Sequence, residues 1–347
     1  MMKLKEFDYE LPPSLIAQGP LPERDASRMM VVNRKTGEIL HSRFGAFPTY
    51  LEGGDVVVVN NSRVIPARLW GKKRTGGRVE ILLLAQREDR GPYRRCWEAL
   101  LKPTKGLGPG EKLTWEGGNE VTLRGRIDEK KWLLEFTTTI PFDDFLAREG
   151  VTPLPPYIKR KEGNGFLYLD RERYQTIYAR HPGSVAAPTA GLHFSEGVLS
   201  AIPERGAQLV EITLHVGYGT FKPVKTEEIE KHRMEEEYYE ITKEAAQRIN
   251  DAKRVIAVGT TCVRTLESAT DEEGRVRAGK GITGLFIYPG YRFKRVNVLL
   301  TNFHLPKSTL YLLVCAFAGI ELIRKAYRMA IEERYRFYSY GDCMLII

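Results

Sequence analysis

Four short segments hold most of the side chains in this chain that could do acid–base or binding chemistry. From Pro182 to Phe194, small residues that let a backbone approach a ligand closely precede His193. From Leu209 to Thr220, strand alternation puts Val210, Ile212, Leu214 and Val216 on one face and Glu211, Thr213 and His215 on the other. His215 thus points away from the more apolar face, just before the turn Gly217-Tyr218-Gly219-Thr220. A buried strand, Arg254–Val258, runs through Gly259 into a helix whose start, with Thr260 or Thr261 as cap, could hold a carboxylate; Arg264 lies one turn in. Finally, Asn302, His304, Lys307 and Ser308 precede an apolar helix. Acids and bases also cluster from Glu230 to Glu237, a pattern that charge alone reads as a solvated face.

Two near-misses are excluded. The run Gly274 to Gly281 fits Gly-x4-Gly-Lys, but Gly281 stands where a phosphate loop needs Ser or Thr, and Asp271-Glu272-Glu273 precedes it in place of a buried strand. No Gly-x-Ser-x-Gly elbow supports a hydrolase.

The elements that must position these residues form two textures. Between Arg63 and Thr137, Val64–Leu69, Arg78–Ala85, Arg95–Leu101, Lys112–Trp115, Glu120–Ile127 and Lys131–Phe136 read as short strands without helical period between them, which predicts a small antiparallel barrel. Phe142–Glu149 reads as a helix, and Pro153-Leu154-Pro155-Pro156 marks a boundary. Beyond it strands and helices alternate: helix Ser195–Ile202, strand Ala207–Val216, helix Lys243–Lys253, strand Arg254–Val258, helix Thr261–Ala269, strand Gly284–Tyr288 and one or two helices over Lys307–Ile331. The N-terminal segment supplies strand Asp55–Asn60 and too little helix to stand alone. The expected fold class is therefore mixed α/β, a main domain of residues 1–62 and 151–347 interrupted by a β-barrel domain of residues 63–150.

Composition sets outer limits. The 347 residues are 42% hydrophobic, enough for a substantial core, which excludes intrinsic disorder. The four cysteines, Cys96, Cys262, Cys315 and Cys343, are scattered without metal-ligand spacing, which predicts neither zinc nor disulfides and suits a reducing cytoplasm. Acids in the first eight residues argue against a leader, and the longest apolar run, Leu310 to Ile320, is too short to span a membrane. Of the net charge of +9, seven charges fall between Arg63 and Thr137, where 17 Lys and Arg face 10 Asp and Glu. Such a basic region permits a polyanionic partner.

Taken together and in order, several motifs resemble the S-adenosylmethionine:tRNA ribosyltransferase-isomerase family of queuosine synthesis. They are Phe7-Asp8-Tyr9-Glu10-Leu11-Pro12, Arg24-Asp25-Ala26-Ser27-Arg28, Asn60 to Leu69, Thr75-Gly76-Gly77, Arg173-Tyr174-Gln175-Thr176, Pro188–Phe194, Thr213–Phe221, Gly259-Thr260-Thr261, Asn302 to Thr309 and Tyr340-Gly341-Asp342. The resemblance breaks at His232-Arg233-Met234-Glu235-Glu236-Glu237, where the family pattern His-x-Met-His-x-Glu has a second histidine in place of Glu235.

This resemblance implies transfer and isomerisation of the ribosyl part of S-adenosylmethionine onto 7-aminomethyl-7-deazaguanine (preQ1) at the tRNA wobble position, giving epoxyqueuosine-tRNA, adenine and methionine. It implies acid–base groups among His193, His215, Glu237 and His304, with His193 and His215 nearest the reaction. Thr260, Thr261 and Arg264 are expected to hold the methionine carboxylate, and Asp25, Arg28, Asn60, Asn61 and Arg63 the acceptor nucleoside. Tyr174, Thr189, Gly191, Gly217, Gly219, Thr220, Asn302 and Ser308 complete the expected substrate site, and Arg94, Arg95, Arg124 and Arg126 the tRNA contacts. No metal and no cofactor are expected, since S-adenosylmethionine is consumed as substrate. The expected partner is preQ1-containing tRNA, with no membrane and no obligate protein partner, and the expected state is a cytoplasmic monomer.

Overall fold

Runs of Val and Ile with no polar interruption make strands that are covered on both faces. Val56 and Val58 of strand Asp55–Asn60 pack on one side with helices Lys243–Asp251 and Thr260–Ala269, while Val57 and Val59 pack on the other with Phe44, Phe47 and Phe194. In the computed structural model, which describes residues 2–160, 166–221 and 224–347, this strand lies in a nine-stranded mixed sheet. The sheet runs Gly279–Thr283, Glu237–Ile241, Gln208–Leu214, Asp55–Asn60, Arg254–Val258, Val298–Asn302, Cys343–Ile346, Arg28–Val32 and Ile39–Arg43. The four strands from Gln208–Leu214 to Val298–Asn302 are parallel, so their C-terminal ends and the loops leaving them share one edge.

Between Asp55–Asn60 and Gln208–Leu214 the chain detours through a closed six-stranded barrel made of Arg68–Lys73, Arg78–Asp89, Arg94–Lys102, Lys112–Thr114, Glu120–Arg126 and Lys131–Thr137. Alternation sends Trp132, Leu134 and Phe136 into the barrel core, and helix Phe142–Glu149 closes it with Phe142, Phe145 and Leu146. A parallel pair, Ser62–Val64 with His181–Ser184, joins barrel to sheet. Ser184 Oγ donates to Ser62 Oγ at 2.8 Å and accepts from the Val216 amide at 2.9 Å.

Several expected elements shift. Val64–Leu69 divides around Pro66 into Ser62–Val64 and Arg68–Lys73, because proline removes a ladder donor. The strand expected at Gly284–Tyr288 is instead Gly279–Thr283, paired with Glu237–Ile241; Ile287 is buried in the helix-side core, with Leu285, Phe286 and Tyr288 packed against it. The helix expected from Thr261 begins at Thr260, and neither threonine caps it: the cap position is Gly259, at φ +88°. The apolar C-terminal run breaks at Gly319, also left-handed, into helices Thr309–Ala318 and Ile320–Glu332. Strands Arg28–Val32, Val298–Asn302 and Cys343–Ile346 carry no alternation to announce them, since both of their faces are buried.

Candidate active site

The four parallel strands end at Leu214, Asn60, Val258 and Asn302, and the polar loops follow at once. This carboxyl edge is where open α/β sheets gather ligands. Here it frames a cleft of about 760 Å³, counting space open to solvent, lined by Thr189, Val216, Gly259, Thr260, Thr261, Asn302, His304 and Ser308 among others. Tyr157 and Tyr338, with ring centroids 4.6 Å apart, form an aromatic wall.

A buried hydrogen-bond chain backs this cleft. Thr189 Oγ1 donates to Asn302 Oδ1 at 3.0 Å, and Asn302 Nδ2 donates to the Tyr338 carbonyl at 3.2 Å. That carbonyl fixes which end of the amide is nitrogen, so Asn302 Nδ2 also donates to His193 Nε2, 3.1 Å away. The imidazole proton must then lie on Nδ1 and is donated to Ser27 Oγ at 2.6 Å, whose own proton goes to the Arg24 carbonyl at 3.0 Å. Burial, reinforced by the nearby Arg336 and Arg24 charges, brings the His193 pKa down to about 3. His193 is therefore a neutral, fully committed imidazole tilted against the ring of Phe44, with centroids 5.3 Å apart.

His304 is equally buried and also depressed to about 3 by desolvation; its Nε2 is 2.7 Å from Thr301 Oγ1, and its backbone amide donates to Tyr327 at 3.0 Å. His215 differs. Its ring lies against the Cα of Gly183, whose missing side chain makes the room, and its buried Nδ1 has no hydrogen-bond partner among the described residues. Desolvation first, then the neighbouring His181, lowers its pKa, so it is neutral at pH 7. It lines a second, wider groove between barrel and sheet, of about 1470 Å³ open to solvent, which shares Val216 with the cleft.

Glu237 is buried: one carboxylate oxygen accepts from the Gly217 amide at 2.8 Å and the other pairs with the buried guanidinium of Arg264. Arg264 is thus turned toward Glu237, and also donates to the Leu285 carbonyl at 3.0 Å. Thr260 and Thr261 face the cleft at the helix start, and the buried Thr261 hydroxyl has no hydrogen-bond partner among the described residues.

Other expected site residues serve the frame. Asn60 extends the sheet, its Oδ1 accepting from the Ser62 and Leu214 amides and its Nδ2 donating to the Leu214 carbonyl at 2.9 Å. Asn61 bonds Glu211 and Thr213, and Asp25 accepts from the helix-capping Ser195. Arg28 stacks on Tyr335, 3.8 Å from the ring centre, and donates to the Glu333 carbonyl. Arg63 is exposed on a separate groove with Asp143 and Arg171. Tyr174 is fully buried, edge-on to Tyr340. Gly191 is required by space, since a Cβ there would meet the Tyr178 hydroxyl at 2.1 Å. A Cβ on Gly219 would meet Glu235 Oε2 at 2.7 Å, whereas one on Gly217 would touch Glu237 only at 3.6 Å. Ser308 caps helix Thr309–Ala318 by accepting from Tyr311 N. The side chain of Thr220 lies outside the described residues. Among the described residues, no group of three His, Cys, Asp or Glu side chains could hold a metal ion, and no helix is long and apolar enough to cross a membrane.

A family model described as queuosine biosynthesis protein matches residues 4–346. The chain belongs to the queuosine biosynthesis protein family. Proteins named S-adenosylmethionine:tRNA ribosyltransferase-isomerase from Syntrophus aciditrophicus and Carboxydothermus hydrogenoformans are 55% and 52% identical to it, each match covering the whole of both chains. A crystal structure of a Thermotoga maritima protein named S-adenosylmethionine tRNA ribosyltransferase aligns with TM-score 0.54 and 36% identity over 99% of this chain and 100% of that one. The α/β architecture with a closed antiparallel barrel is thus a queuosine-family fold.

The barrel arginines of this family member surround buried acids. Arg124 pairs with Glu135, Arg90 approaches the same carboxylate at 3.3 Å, and Arg94 stands 3.9 Å away. Burial would raise the Glu135 pKa, but the hydrogen bond and charge of Arg124, with Arg90 and Arg94, outweigh it and hold the carboxyl low. Arg95 pairs with Asp89 at 2.7 Å, and Arg126 covers Trp132 at 4.8 Å. Sequence reading missed Tyr157 and Tyr338, which carried no signal beyond aromaticity, and the wider groove, which exists only once barrel and sheet are placed together.

Proposed function

We propose that this protein transfers and isomerises the ribosyl group of S-adenosylmethionine onto the aminomethyl group of preQ1 at the tRNA wobble position, with adenine and methionine leaving. The observation that carries this reading is the convergence of the polar loops on one cleft that combines an open helix start, an unpartnered buried threonine hydroxyl and an aromatic wall. These suit the three ends of the donor. The methionine carboxylate is placed at the amides of Thr260 and Thr261, with the Thr261 hydroxyl completing its bonds. The sulfonium lies against Tyr157 and Tyr338, where an aromatic face favours a cation. Thr189 and Asn302, held by His193, orient the remainder.

The positive sulfur makes the adjoining carbon acidic, so a neutral base must stand near it. His215 fills that role best: it is uncharged at pH 7 and lines the groove next to Val216, the residue that groove and cleft share. His193 and His304 act by holding Asn302 and Thr301. Glu237 acts by holding the Gly217 turn. S-adenosylmethionine serves as substrate and no separate cofactor is invoked.

Adenine release and tRNA mass are measured together, with S-adenosylmethionine labelled in the ribose in one assay and in the methyl group in the other. Ribose label on the tRNA, with one adenine freed per transfer, is expected; methyl label on the tRNA would make the protein a methyltransferase. Thr261→Val should leave stability equal or slightly higher, because the hydroxyl is unpartnered, and should weaken S-adenosylmethionine binding by about tenfold, the order of one hydrogen bond to a charged group. Unchanged binding would remove the carboxylate from this helix start.

A further inference from the structure

The groove between barrel and sheet is asymmetric. On its barrel wall stand Arg87, with 58% of its side chain exposed, and Lys131. Arg87 Nε bonds Glu98 at 2.9 Å, so the acid on that wall is already neutralised, and Arg90 in the following turn, with Arg94 and Arg124 on later strands, gathers around Glu135 of the same barrel. The sheet wall carries Glu235 and Glu236 together with Tyr238 and Ile282.

Tyr238 and Ile282 are cross-strand partners, 59% and 52% exposed, on strand Glu237–Ile241 and the edge strand Gly279–Thr283 that flanks it. The fold makes no use of their outer faces. The packing duty falls to their neighbours, Ile241 in the helix-side core and Tyr239, whose ring covers Gly281 so closely that a Cβ there would meet it at 2.5 Å. An aromatic ring beside a β-branched cross-strand partner and open to solvent on the wall of a groove is what a stacked base requires.

We propose that Tyr238, braced by Ile282, is a stacking platform for an unpaired base of the tRNA anticodon loop, next to the nucleoside that enters the cleft. This rests on the tRNA-modifying reading above. Charge complementarity fixes the orientation: phosphates lie along the arginine and lysine wall and are repelled by Glu236 on the opposite one, so the bases must face the sheet wall and meet Tyr238. Continuity fixes the place, since Val216 lines both groove and cleft. A nucleotide beside the platform is therefore one step from the reacting site. Stacking is sequence-tolerant, so the platform contributes affinity and register without choosing a base.

The test measures anisotropy of a preQ1-containing anticodon stem-loop and of a plain RNA duplex, each across a salt series, with wild type, Tyr238→Ala, Tyr238→Trp and Lys131→Ala. Tyr238→Ala should weaken stem-loop binding at least about fivefold, leave the duplex and S-adenosylmethionine unaffected, and keep the salt slope of wild type, because a stacked base releases no counterion. Tyr238→Trp should bind as wild type or tighter, and Lys131→Ala should lower the slope by about one. Wild-type affinity in Tyr238→Ala would overturn the platform while leaving the tRNA reading intact, and absence of stem-loop binding by wild type would overturn that reading itself. A reduced salt slope in Tyr238→Ala would reassign the residue to a phosphate. A wild-type dimer in sedimentation that Tyr238→Ala dissociates would overturn the proposal in favour of a second copy of this chain on the edge strand.

Discussion

The cleft and the barrel face are both polar, yet they are built in opposite ways. In the cleft, short side chains are locked by buried partners: Thr189, Asn302, His193 and Ser27 form one unbroken chain in which each group has a defined donor or acceptor role. On the barrel, long arginines gather around Glu98 and Glu135, keep roughly half their surface in water and share their acids. The contrast teaches what each region can do. Locked dipoles suit a reaction, because they need no rearrangement as charge develops. Shared, solvated cations suit a backbone that must be held in many registers, and their strength depends on salt.

The comparison breaks most readily at Glu237, which clamps the Gly217 turn to Arg264. Glu237→Ala leaves a buried guanidinium without its counter-charge and should cost about 3–5 kcal/mol in urea unfolding. Wild-type stability in that variant would make the clamp dispensable and the cleft less rigid than its geometry implies.

A second, smaller effect is a pH dependence that begins near pH 6.5, above the carboxylate range in which the depressed Glu135 of the barrel adds its own. His193 and His304 are folded with pKa values near 3, against about 6.5 in an unfolded chain. The unfolded state therefore binds more protons between those values. Stability should be complete above pH 6.5 and fall as pH drops toward 3, with each histidine contributing up to about 1.4 kcal/mol per pH unit. Unfolding at pH 7 and pH 5 should show a shallower slope in His193→Gln or His304→Gln than in wild type; an identical slope would mean that the imidazole is not buried in its neutral form.

The smallest effect on stability, and the sharpest on binding, belongs to the barrel. Arg94→Ala, which removes only the most distant of the cations around Glu135, and Arg126→Ala should each change stability by less than about 1 kcal/mol and flatten the salt dependence of tRNA affinity by about one unit of slope. A stability loss of several kcal/mol would show that these arginines hold the barrel together in place of serving its surface.

Legibility followed periodicity. Helix Phe142–Glu149 and the barrel strands, each with one wet face, could be read from hydrophobic spacing, and Asp55–Asn60 and Arg254–Val258 from their runs of β-branched Val and Ile. Val298–Asn302 and Cys343–Ile346 could not, because a strand buried on both sides shows no alternation and resembles any short apolar run. At the site, the loops could be singled out by their small and polar residues, but not the task of each side chain. Asn60 and Asn61 look like ligand groups and are sheet extensions; Arg264 looks like a carboxylate site and is the partner of Glu237.

By itself the sequence determined the two textures of the chain, the concentration of positive charge in one of them, and which loops carry reactive groups, because periodicity, composition and charge are local properties. Only the tertiary structure decided which residues meet. The order of the parallel strands brings loops from positions 189, 216, 260 and 302 to one edge, and burial sets the protonation of His193 and His304. The docking of barrel on sheet makes the groove that opposes Lys131 to Tyr238. Such outcomes depend on contacts across more than a hundred residues, as in the Asn302–His193 bond, and no spacing along the chain encodes them.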